Sequence, residues 1–241
     1  MQPEETPNSI RVQVGDRVIT SLIHAADRII VTFDCETVIV YNALTGAVLQ
    51  TLTGHQGGDW ASALYNSNTL ITAVTDRTIH VWDLEKGVCT HVFQIHTSTV
   101  RTTQIVLPNN INYHGLQLAP KYDSEFPIIV AGSRDTTLSG HTQLIRDVAA
   151  EGNLVASASY DTTARILNSH TGELIHTLVG HKDKLYAIVL DSTNRHTLMV
   201  GLLRLNDNLL ASASADGTVK VWDPITAKPI HTLGNHLPGT G

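Results

Sequence analysis

Apolar residues recur at every second position in short stretches of this chain, and polar turn residues separate one stretch from the next. The sequences LITAVTD (70–76), RTIHVWD (77–83) and VCTHVF (88–93) show this alternation, and LEKG supplies a turn between the last two. A period of two residues indicates β-strands with one buried face. The same scheme returns in LVASASYD (154–161) and LLASASADG (209–217), and no helical period competes with it. The pattern therefore predicts an all-β protein.

Certain residue types recur in phase with these strands at a spacing near 41 residues. His55, His96, His141 and His181 lie 41, 45 and 40 residues apart, and His236 lies 40 residues after an additional histidine, His196. An aspartate stands 20 or 21 residues after three of the histidines, and in two cases a tryptophan follows six residues later; these residues are Asp76, Asp161, Asp216, Trp82 and Trp222. Gly-His at the start and Trp-Asp at the end of such a unit are the signature of the four-stranded blade of a WD-repeat β-propeller.

The spacing of these residues divides the chain into blades of unequal completeness. We expect residues 1–10 to be disordered and residues 11–241 to form one propeller domain. Near-complete blades are predicted at 11–52, 54–93, 140–178 and 195–233, partial blades at 95–139 and 180–194, and the start of a further blade at 234–241. The expected fold class is an incomplete all-β WD-repeat β-propeller, with about four full blades plus partial blades.

Two short intervals are the reason for predicting partial blades. A complete unit has 20 residues between its turn aspartate and the next histidine, but only 6 residues separate Asp135 from His141. The third and fourth strands of that blade are therefore predicted to be missing, and residues 109–126 are predicted to form a loop inserted between its first two strands. His181 and His196 are only 15 residues apart. The intervening KLYAIVLD is predicted to be a first strand that is followed directly by another first strand, LMVGLLRLND.

Composition narrows the class of protein without changing the predicted fold. The 241 residues are 42% hydrophobic and 16% charged, which is typical of a soluble globular protein with a substantial core. No apolar run approaches the roughly 18 residues of a membrane-spanning helix, and MQPEETPNSI lacks the plan of a signal peptide. Cys35 and Cys89 suit a reducing, intracellular setting, so we expect the protein in the nucleus, the cytoplasm or both. A net charge of −6 disfavours general binding to nucleic acid, and neither nucleic acid nor a membrane is an expected partner.

The recurrent serine, histidine and aspartate residues have a structural interpretation that we prefer over catalysis. In WD repeats the Gly-His histidine, a Ser or Thr of the second strand, the turn Asp and the Trp bond to one another, because polar groups are costly to bury alone. The matching sets are His55, Thr72, Asp76 and Trp82; His196, Ser212, Asp216 and Trp222; and His141, Ser157 and Asp161, where Leu167 replaces the tryptophan. Neither metal-ligand spacing nor a phosphate-cradling glycine loop is found. The sequence thus predicts no catalytic, metal or cofactor site.

Two sets of equivalent positions point instead to a binding site. Five residues after each histidine stand Trp60, Arg101, Arg146, Tyr186 and Gly201, and one residue before each turn aspartate stand Thr75, Arg134, Tyr160 and Ala215. Three arginines and three aromatic residues are therefore expected at one end of the blades. Arginine forms parallel, charge-assisted hydrogen bonds to phosphate, and a phosphoserine or phosphothreonine offers about −1.5 to −2 charges. The alternative is that the arginines form ordinary surface ion pairs with acids such as Asp135 and Asp147.

A family resemblance sharpens this expectation. Residues 54–107, 129–190 and 199–222 resemble the fungal cell-division-control F-box/WD-repeat proteins, which are substrate receptors of SCF-type ubiquitin ligases; GHQGGDW, STVRTTQIV, GSRDTTL, ASYDTT and VGLLRLND carry the similarity. In that family the top of the propeller binds a phosphodegron, a phosphothreonine or phosphoserine followed by proline. The resemblance implies that Arg101, Arg134 and Arg146 bind the phosphate. It implies that Trp60, Thr75, Thr99, Tyr160 and Tyr186 surround the phosphate and an apolar pocket, and that Arg77 is a peripheral basic residue.

The chain departs from that family in two respects. The family has an F-box upstream of an eight-bladed propeller, whereas residues 1–10 cannot hold an F-box and only fragments of seven blades are predicted here. The expected partners are phosphorylated proteins, and a ligase adaptor only if an F-box is supplied elsewhere. Two alternatives stay open: a general WD-repeat scaffold without dependence on phosphate, and a truncated relative without function. An enzyme is disfavoured because each candidate catalytic group has a structural role, and the chain would at most be a non-catalytic subunit of a ligase.

Overall fold

The computed structural model describes residues 16–106, 127–135, 140–191 and 209–234, except for the side chains of residues 59, 60 and 191. All regular elements within these ranges are β-strands. The chain divides into two compact units, unit 1 (Met1–Ile95) and unit 2 (His96–Gly241). Within the described ranges, no helix has the length and apolar character needed to cross a bilayer.

Unit 1 contains two four-stranded antiparallel sheets. The first sheet consists of β1 (Ile19–Ala25), β2 (Arg28–Phe33), β3 (Thr37–Asn42) and β4 (Val48–Thr53), and the second of β5 (Asp59–Tyr65), β6 (Thr69–Val74), β7 (Ile79–Asp83) and β8 (Val88–Phe93). Each strand pairs with the next strand along the chain. Each sheet is therefore an up-and-down blade of the kind found in β-propellers.

Unit 2 contains one two-stranded and two four-stranded antiparallel sheets. Its strands are β9 (Val100–Val106) and β10 (Ile128–Ser133) in the first sheet; β11 (Ile145–Glu151), β12 (Leu154–Ser159), β13 (Ala164–Asn168) and β14 (Leu174–Leu178) in the second; and β15 (Leu185–Asp191), β16 (Leu209–Ser214), β17 (Thr218–Trp222) and β18 (Pro229–Gly234) in the third. The predicted all-β fold made of propeller blades is confirmed.

The buried cores lie between neighbouring blades of each unit. The second strands β6 and β12 are buried along nearly their whole length, whereas the fourth strand β8 is mostly exposed. In unit 1, Ile30 of one blade belongs to the same buried cluster as Leu70 and Trp82 of the next blade. In unit 2, Ile166 and Trp222 share a cluster in the same way. Apolar burial between blades thus stabilises each unit.

The last blade of unit 2 differs from the predicted blade boundaries. β15 pairs with β16 in a register that places Ile188 opposite Ser212, so that β15 to β18 form one blade. The prediction of a partial blade at 180–194 and a separate blade at 195–233 is therefore wrong. β15 takes the place of the first strand because it contributes Leu185, Ile188 and Leu190 to the buried cluster that contains Trp222. The alternative first strand, LMVGLLRLND, lies outside the described residues.

The other predicted boundaries fall partly outside the described residues. The blade predicted at 95–139 is represented by β9 and β10, which pair with each other. The loop predicted at 109–126 and the segment predicted to be disordered at 1–10 are outside the described ranges. So are residues 235–241, while Gly234, predicted to open a further blade, is the last residue of β18.

Candidate functional site

In the second blade of unit 1, a chain of hydrogen bonds joins four side chains. Trp82 Nε1–H donates to Thr72 Oγ1 at 2.8 Å, and Thr72 Oγ1 lies 2.6 Å from His55 Nε2. On the other side of its ring, His55 Nδ1 lies 3.3 Å from Asp76 Oδ2. Since an ionised carboxylate only accepts, a neutral His55 donates from Nδ1 and accepts the Thr72 hydroxyl hydrogen at Nε2. The four polar groups thus satisfy one another inside the blade.

The second blade of unit 2 repeats this arrangement without a tryptophan. His141 Nδ1 lies 2.7 Å from Asp161 Oδ2, and His141 Nε2 lies 2.9 Å from Ser157 Oγ. Leu167 is buried opposite Val155, in the register where Trp82 faces Leu70. The hydroxyl of Ser157 therefore has no indole donor from this position.

In the last blade of unit 2, the histidine of the set is His181. Its Nδ1 lies 3.0 Å from Asp216 Oδ2 and its Nε2 lies 2.8 Å from Ser212 Oγ, which also accepts from Trp222 Nε1–H at 2.9 Å. The prediction that His196 completes this set is wrong, and His196 itself lies outside the described residues. The separation of 35 residues between His181 and Asp216 is long because extra chain is inserted between β15 and β16.

The aspartates of these sets are kept ionised by hydrogen bonds. Burial raises the pKa of Asp161, but the bonds donated by Thr163 and His141 outweigh burial and bring the pKa to about 2. For Asp76, burial is likewise outweighed by the bonds from Gln56 and Thr78, so that its pKa is lowered. An ionised aspartate and a neutral histidine in fixed, buried bonds form a structural set and not an acid–base pair poised for proton transfer.

Replacing His181 with alanine is expected to destabilise the protein. His181 is buried, and its removal takes one hydrogen-bond partner from each of Ser212 and Asp216. Loss of a partner from a buried polar group costs about 1–3 kcal/mol. His231, on the exposed strand β18 of the same blade, is the matched control, and H231A should change stability by less than about 0.5 kcal/mol. Urea unfolding measures both variants, and an H181A midpoint equal to that of the parent would contradict the assignment of His181.

His80 adds a buried ring that the sequence pattern did not indicate. It stacks on His55 with ring centroids 3.6 Å apart and 25° between the planes, and its Nδ1 is buried without a hydrogen-bond partner among the described residues. His55, Asp76 and His80 each offer a ligand atom within 4.8 Å of the other two, as a metal site would. Stacked imidazoles, however, direct their in-plane lone pairs side by side and not toward one point. The cluster therefore lacks the tetrahedral arrangement that zinc prefers.

Acidification from pH 7.5 to pH 5 is expected to destabilise the protein through these histidines. Burial, and then the charge of His80, lower the pKa of His55 from 6.5 to about 4, and burial also lowers the pKa values of His80 and His141. Between these pH values the unfolded state binds more protons than the folded state. The free energy of unfolding is therefore complete above pH 6.5 and falls as the pH falls, by about 2 kcal/mol at pH 5 from His55 alone.

Urea unfolding at the two pH values, followed by tryptophan fluorescence, measures this loss. The aspartates do not confuse the result, because their ordinary pKa lies near 4 and their contribution is lost only below about pH 4. The exposed His91 of β8 supplies a control, since an H91Q variant should keep the full pH dependence of the parent. Equal free energies of unfolding at pH 7.5 and pH 5 would show that the buried histidines do not titrate as described.

The first set of predicted binding residues lies at one structural position, a β-bulge at the start of the first strand of each blade. The register shifts by one residue at this point in all five described sheets, and the extra residues are Thr20, Trp60, Arg101, Arg146 and Tyr186. A bulge leaves its extra residue outside the ladder and re-aims the side chain. Val100 and Thr102, on either side of Arg101, are buried, whereas Arg101 is only half-buried. The bulges thus separate the binding positions from the core positions.

The second set of predicted residues is fixed beside these bulges by backbone hydrogen bonds. The N–H donors and C=O acceptors are Asp34 and Val18 (3.0 Å), Thr75 and Gly58 (3.1 Å), Arg134 and Thr99 (3.0 Å), Tyr160 and Leu144 (3.0 Å), and Ala215 and Lys184 (2.9 Å). In each pair the acceptor stands two residues before the bulge residue of the same blade. The Thr99 carbonyl also accepts from Ser133 Oγ at 2.9 Å. Both sets therefore lie at the same end of each blade.

Unit 2 brings three of these residues, Arg101, Arg134 and Arg146, into electrostatic contact. Arg101 and Arg146 are half-buried and Arg134 is exposed. Burial, and then the positive charges of Arg146 and Arg134, lower the pKa of Arg101. A guanidinium nevertheless stays charged at physiological pH. Three mutually repelling positive charges at one end of neighbouring blades favour a bound anion.

Aromatic rings and a lysine border the arginines. The rings of Tyr160 and Tyr186 meet edge to face, with centroids 5.4 Å apart and 71° between the planes. Lys184 Nζ lies 5.2 Å from the centroid of the Tyr160 ring, within range of a cation–π interaction. Lys184 was not predicted from the sequence, although its place two residues before a bulge residue was a usable signal. The site thus combines positive charge with exposed aromatic surface.

The acids that could neutralise the arginines bind elsewhere. Asp135 Oδ2 lies 2.9 Å from His96 Nδ1 and accepts the N–H of Thr97 at 2.9 Å. Asp147 accepts hydrogen bonds from Thr102 and Ile188. Because both carboxylates are engaged with other residues of unit 2, the geometry disfavours the alternative of ordinary surface ion pairs.

The remaining predicted residues lie in unit 1. Trp60 is the bulge residue of β5, and its side chain lies outside the described residues. Thr75 follows β6, and Arg77 occupies the next turn with φ 74°, a left-handed conformation that Gly217 adopts at φ 78° in the last blade of unit 2. The sequence analysis missed Thr20 and Asp34, which hold the same two positions in the first blade, because that blade lacks the Gly-His pair. Gly201 lies outside the described residues.

The blades and their hydrogen-bonded sets define a class of protein. The family model described as WD domain, G-beta repeat, matches residues 46–83, 132–168 and 172–223, which is more than half of the chain. The chain therefore belongs to the WD-repeat family.

Within this family the chain is similar to proteins named for cell division. It is 31% identical over 275 residues to cell division control protein 4 of Saccharomyces cerevisiae, with 86% of this chain and 35% of the relative covered. It is 32% identical over 276 residues to cell division control protein 4 of Candida albicans, with 100% and 38% covered. It is also 32% identical over 217 residues to WD repeat-containing protein pop2 of Schizosaccharomyces pombe, with 76% and 30% covered. The chain spans about a third of the length of these relatives.

Proposed function

We propose that unit 2 binds an extended peptide in which a phosphothreonine or phosphoserine is followed by proline. The observation that carries the proposal is the convergence of Arg101, Arg134 and Arg146 at one end of neighbouring blades. A phosphate monoester is close to a dianion at neutral pH and offers three acceptor oxygens. Guanidinium groups match such an acceptor, because each can donate two parallel hydrogen bonds.

The aromatic pair supports the peptide part of the proposal. Tyr186 is 46% exposed, so the edge-to-face pair of Tyr160 and Tyr186 presents apolar ring surface beside the arginines. A proline or an aliphatic side chain next to the phosphorylated residue would bury that surface. Lys184 extends the positive charge along the same border and favours an acidic or phosphorylated segment over a basic one.

Similarity to two proteins named cell division control protein 4 supports a role as the recognition module of an SCF-type ubiquitin-ligase substrate receptor. Such a receptor binds its substrate through the propeller and does no chemistry itself. Docking to the ligase adaptor requires an F-box in a longer product or in a partner, since the chain covers only about a third of these relatives. The proposed setting is intracellular, in the nucleus, the cytoplasm or both.

Two peptides distinguish this function from that of a general WD-repeat scaffold. We expect a fluorescent phosphothreonine–proline peptide to bind at least about 100-fold more tightly than its unphosphorylated twin, because hydrogen bonds to charged groups contribute about 1.5–3 kcal/mol each. A third peptide with glutamate in place of phosphothreonine should recover only part of the affinity, since it carries one charge and two acceptor oxygens. Equal affinities for the phosphorylated and unphosphorylated peptides would favour a scaffold that binds proteins without phosphate.

A further inference from the structure

One buried carboxylate links three first strands of unit 2. Asp147, on β11, accepts a hydrogen bond from Thr102 Oγ1 of β9 at 3.2 Å through Oδ1. Through Oδ2 it accepts the backbone N–H of Ile188 of β15 at 3.1 Å. It also accepts the N–H of the adjacent Val148 at 2.9 Å. Asp147 therefore joins its own blade to the blade on each side.

These contacts lie next to the bulges that present the binding residues. Thr102 directly follows Arg101, Asp147 directly follows Arg146, and Ile188 stands two residues after Tyr186. Any change in the spacing of the three strands at Asp147 would therefore move the bases of three binding side chains relative to one another. A charge-assisted hydrogen bond to a carboxylate is shorter and stronger than a neutral one, which suits it to fixing such a spacing.

Unit 1 provides an internal comparison. Its first strands are joined near the equivalent position by a single neutral contact of 2.8 Å between Ser21 Oγ and Ser62 Oγ. In unit 2, by contrast, one carboxylate accepts from both neighbouring strands, and Thr102 and Ile188 are themselves buried. The stronger connection is found in the unit that contains the arginine cluster.

We propose that Asp147 is a positioning residue of the phosphopeptide site, which sets the spacing of the bulges that carry Arg101, Arg146 and Tyr186. This inference rests on the proposed function of unit 2. Asp147 acts through its neighbours and does not touch the phosphate. Its carboxylate charge alone would have the opposite effect, since a negative charge beside the arginines disfavours a bound phosphate.

The opposite signs of these two effects make D147N an informative variant. Asparagine keeps the shape of the side chain but replaces one acceptor oxygen with an NH₂ group and removes the charge. If Asp147 acted only as a charge, D147N would bind the phosphothreonine–proline peptide more tightly than the parent. The positioning role predicts binding that is weaker by about 10-fold, within the range of coupling measured between contacting residues.

T102V tests the same contact if D147N fails to fold. It removes only the hydroxyl that donates to Asp147 and nearly conserves the volume of the side chain. T103V is the matched control, because Thr103 is the next residue of β9, is equally buried, and has an Oγ1 without a hydrogen-bond partner among the described residues. We expect T102V to weaken phosphopeptide binding several-fold, to roughly one tenth of the parent affinity at most, and T103V to leave it unchanged.

A double-mutant cycle with R101A separates positioning from general destabilisation. If Asp147 acts by placing Arg101, the T102V substitution loses most of its effect when Arg101 is already alanine. An equal loss in both backgrounds would overturn the positioning role, as would unchanged affinity in T102V and D147N when the parent selects phosphate. A parent that binds the unphosphorylated peptide equally well would instead overturn the proposed function, so the two failures are distinguishable.

Discussion

We expect R101A to bind a phosphothreonine–proline peptide roughly 10- to 150-fold more weakly than the parent, because the lost hydrogen bonds to a charged group contribute about 1.5–3 kcal/mol. Arg101 is the best single probe of the site, since its pKa responds to both Arg134 and Arg146. It therefore stands between the other two charges and has the largest expected effect. Fluorescence anisotropy with a labelled peptide measures the change.

The stability of R101A should stay close to that of the parent, because a partly exposed arginine at the end of a blade contributes little to folding. R101K should recover only part of the affinity, since an ammonium group cannot reproduce the planar fork of a guanidinium. R28A removes one positive charge from unit 1, outside the cluster, and controls for the change in net charge. An R101A variant with parental affinity, or an R28A variant as weak as R101A, would contradict the assignment of Arg101.

Replacing Trp222 with alanine should lower the free energy of unfolding by about 3–5 kcal/mol, the usual cost of deleting a buried large aromatic side chain. The Trp222 side chain is only 2% exposed and packs in a cluster that includes Ile166 and Leu178 of the preceding blade. Its Nε1–H also donates to Ser212. The substitution thus removes apolar contact between two blades and a hydrogen bond within one. Urea unfolding reports the loss.

W222F distinguishes the two contributions of Trp222. Phenylalanine keeps most of the apolar contact but has no N–H donor, so we expect a loss that is smaller than that of W222A by about 1–3 kcal/mol. Leu167, which stands in the tryptophan position of the preceding blade, shows that an apolar side chain is accommodated there. A W222A variant that unfolds within about 0.5 kcal/mol of the parent would be inconsistent with a core shared between blades.

The strands and the hydrogen-bonded sets could be predicted from local sequence, but the course of the last blade could not. His181 and His196 both have the spacing of a blade-opening histidine to some later residue, and only pairing of β15 with β16 decides between them. Loop length is a weak guide to connectivity, because lengthening a surface loop costs little free energy. An insertion after β15 was therefore read as a deletion before a new blade.

The binding positions could be predicted because they recur at fixed offsets from the histidine and the turn aspartate. The structural reason for that recurrence is the bulge in each first strand, which a period-two pattern does not show. Asp147 and His80 could not be predicted, because their roles depend on contacts with strands about 40 residues away or with a ring on another element. Such contacts leave no periodic signal in a single sequence.

The account's central claim is that Arg101, Arg134 and Arg146 together create selectivity for phosphate. The most direct test is the ratio of affinities for the phosphorylated and unphosphorylated peptides, measured in the parent and in the R101A/R134A/R146A variant after urea unfolding has shown that both are folded. We predict a ratio of at least about 100 in the parent and a ratio near one in the variant, with little change in binding of the unphosphorylated peptide. A triple variant that keeps the parental ratio would contradict the claim.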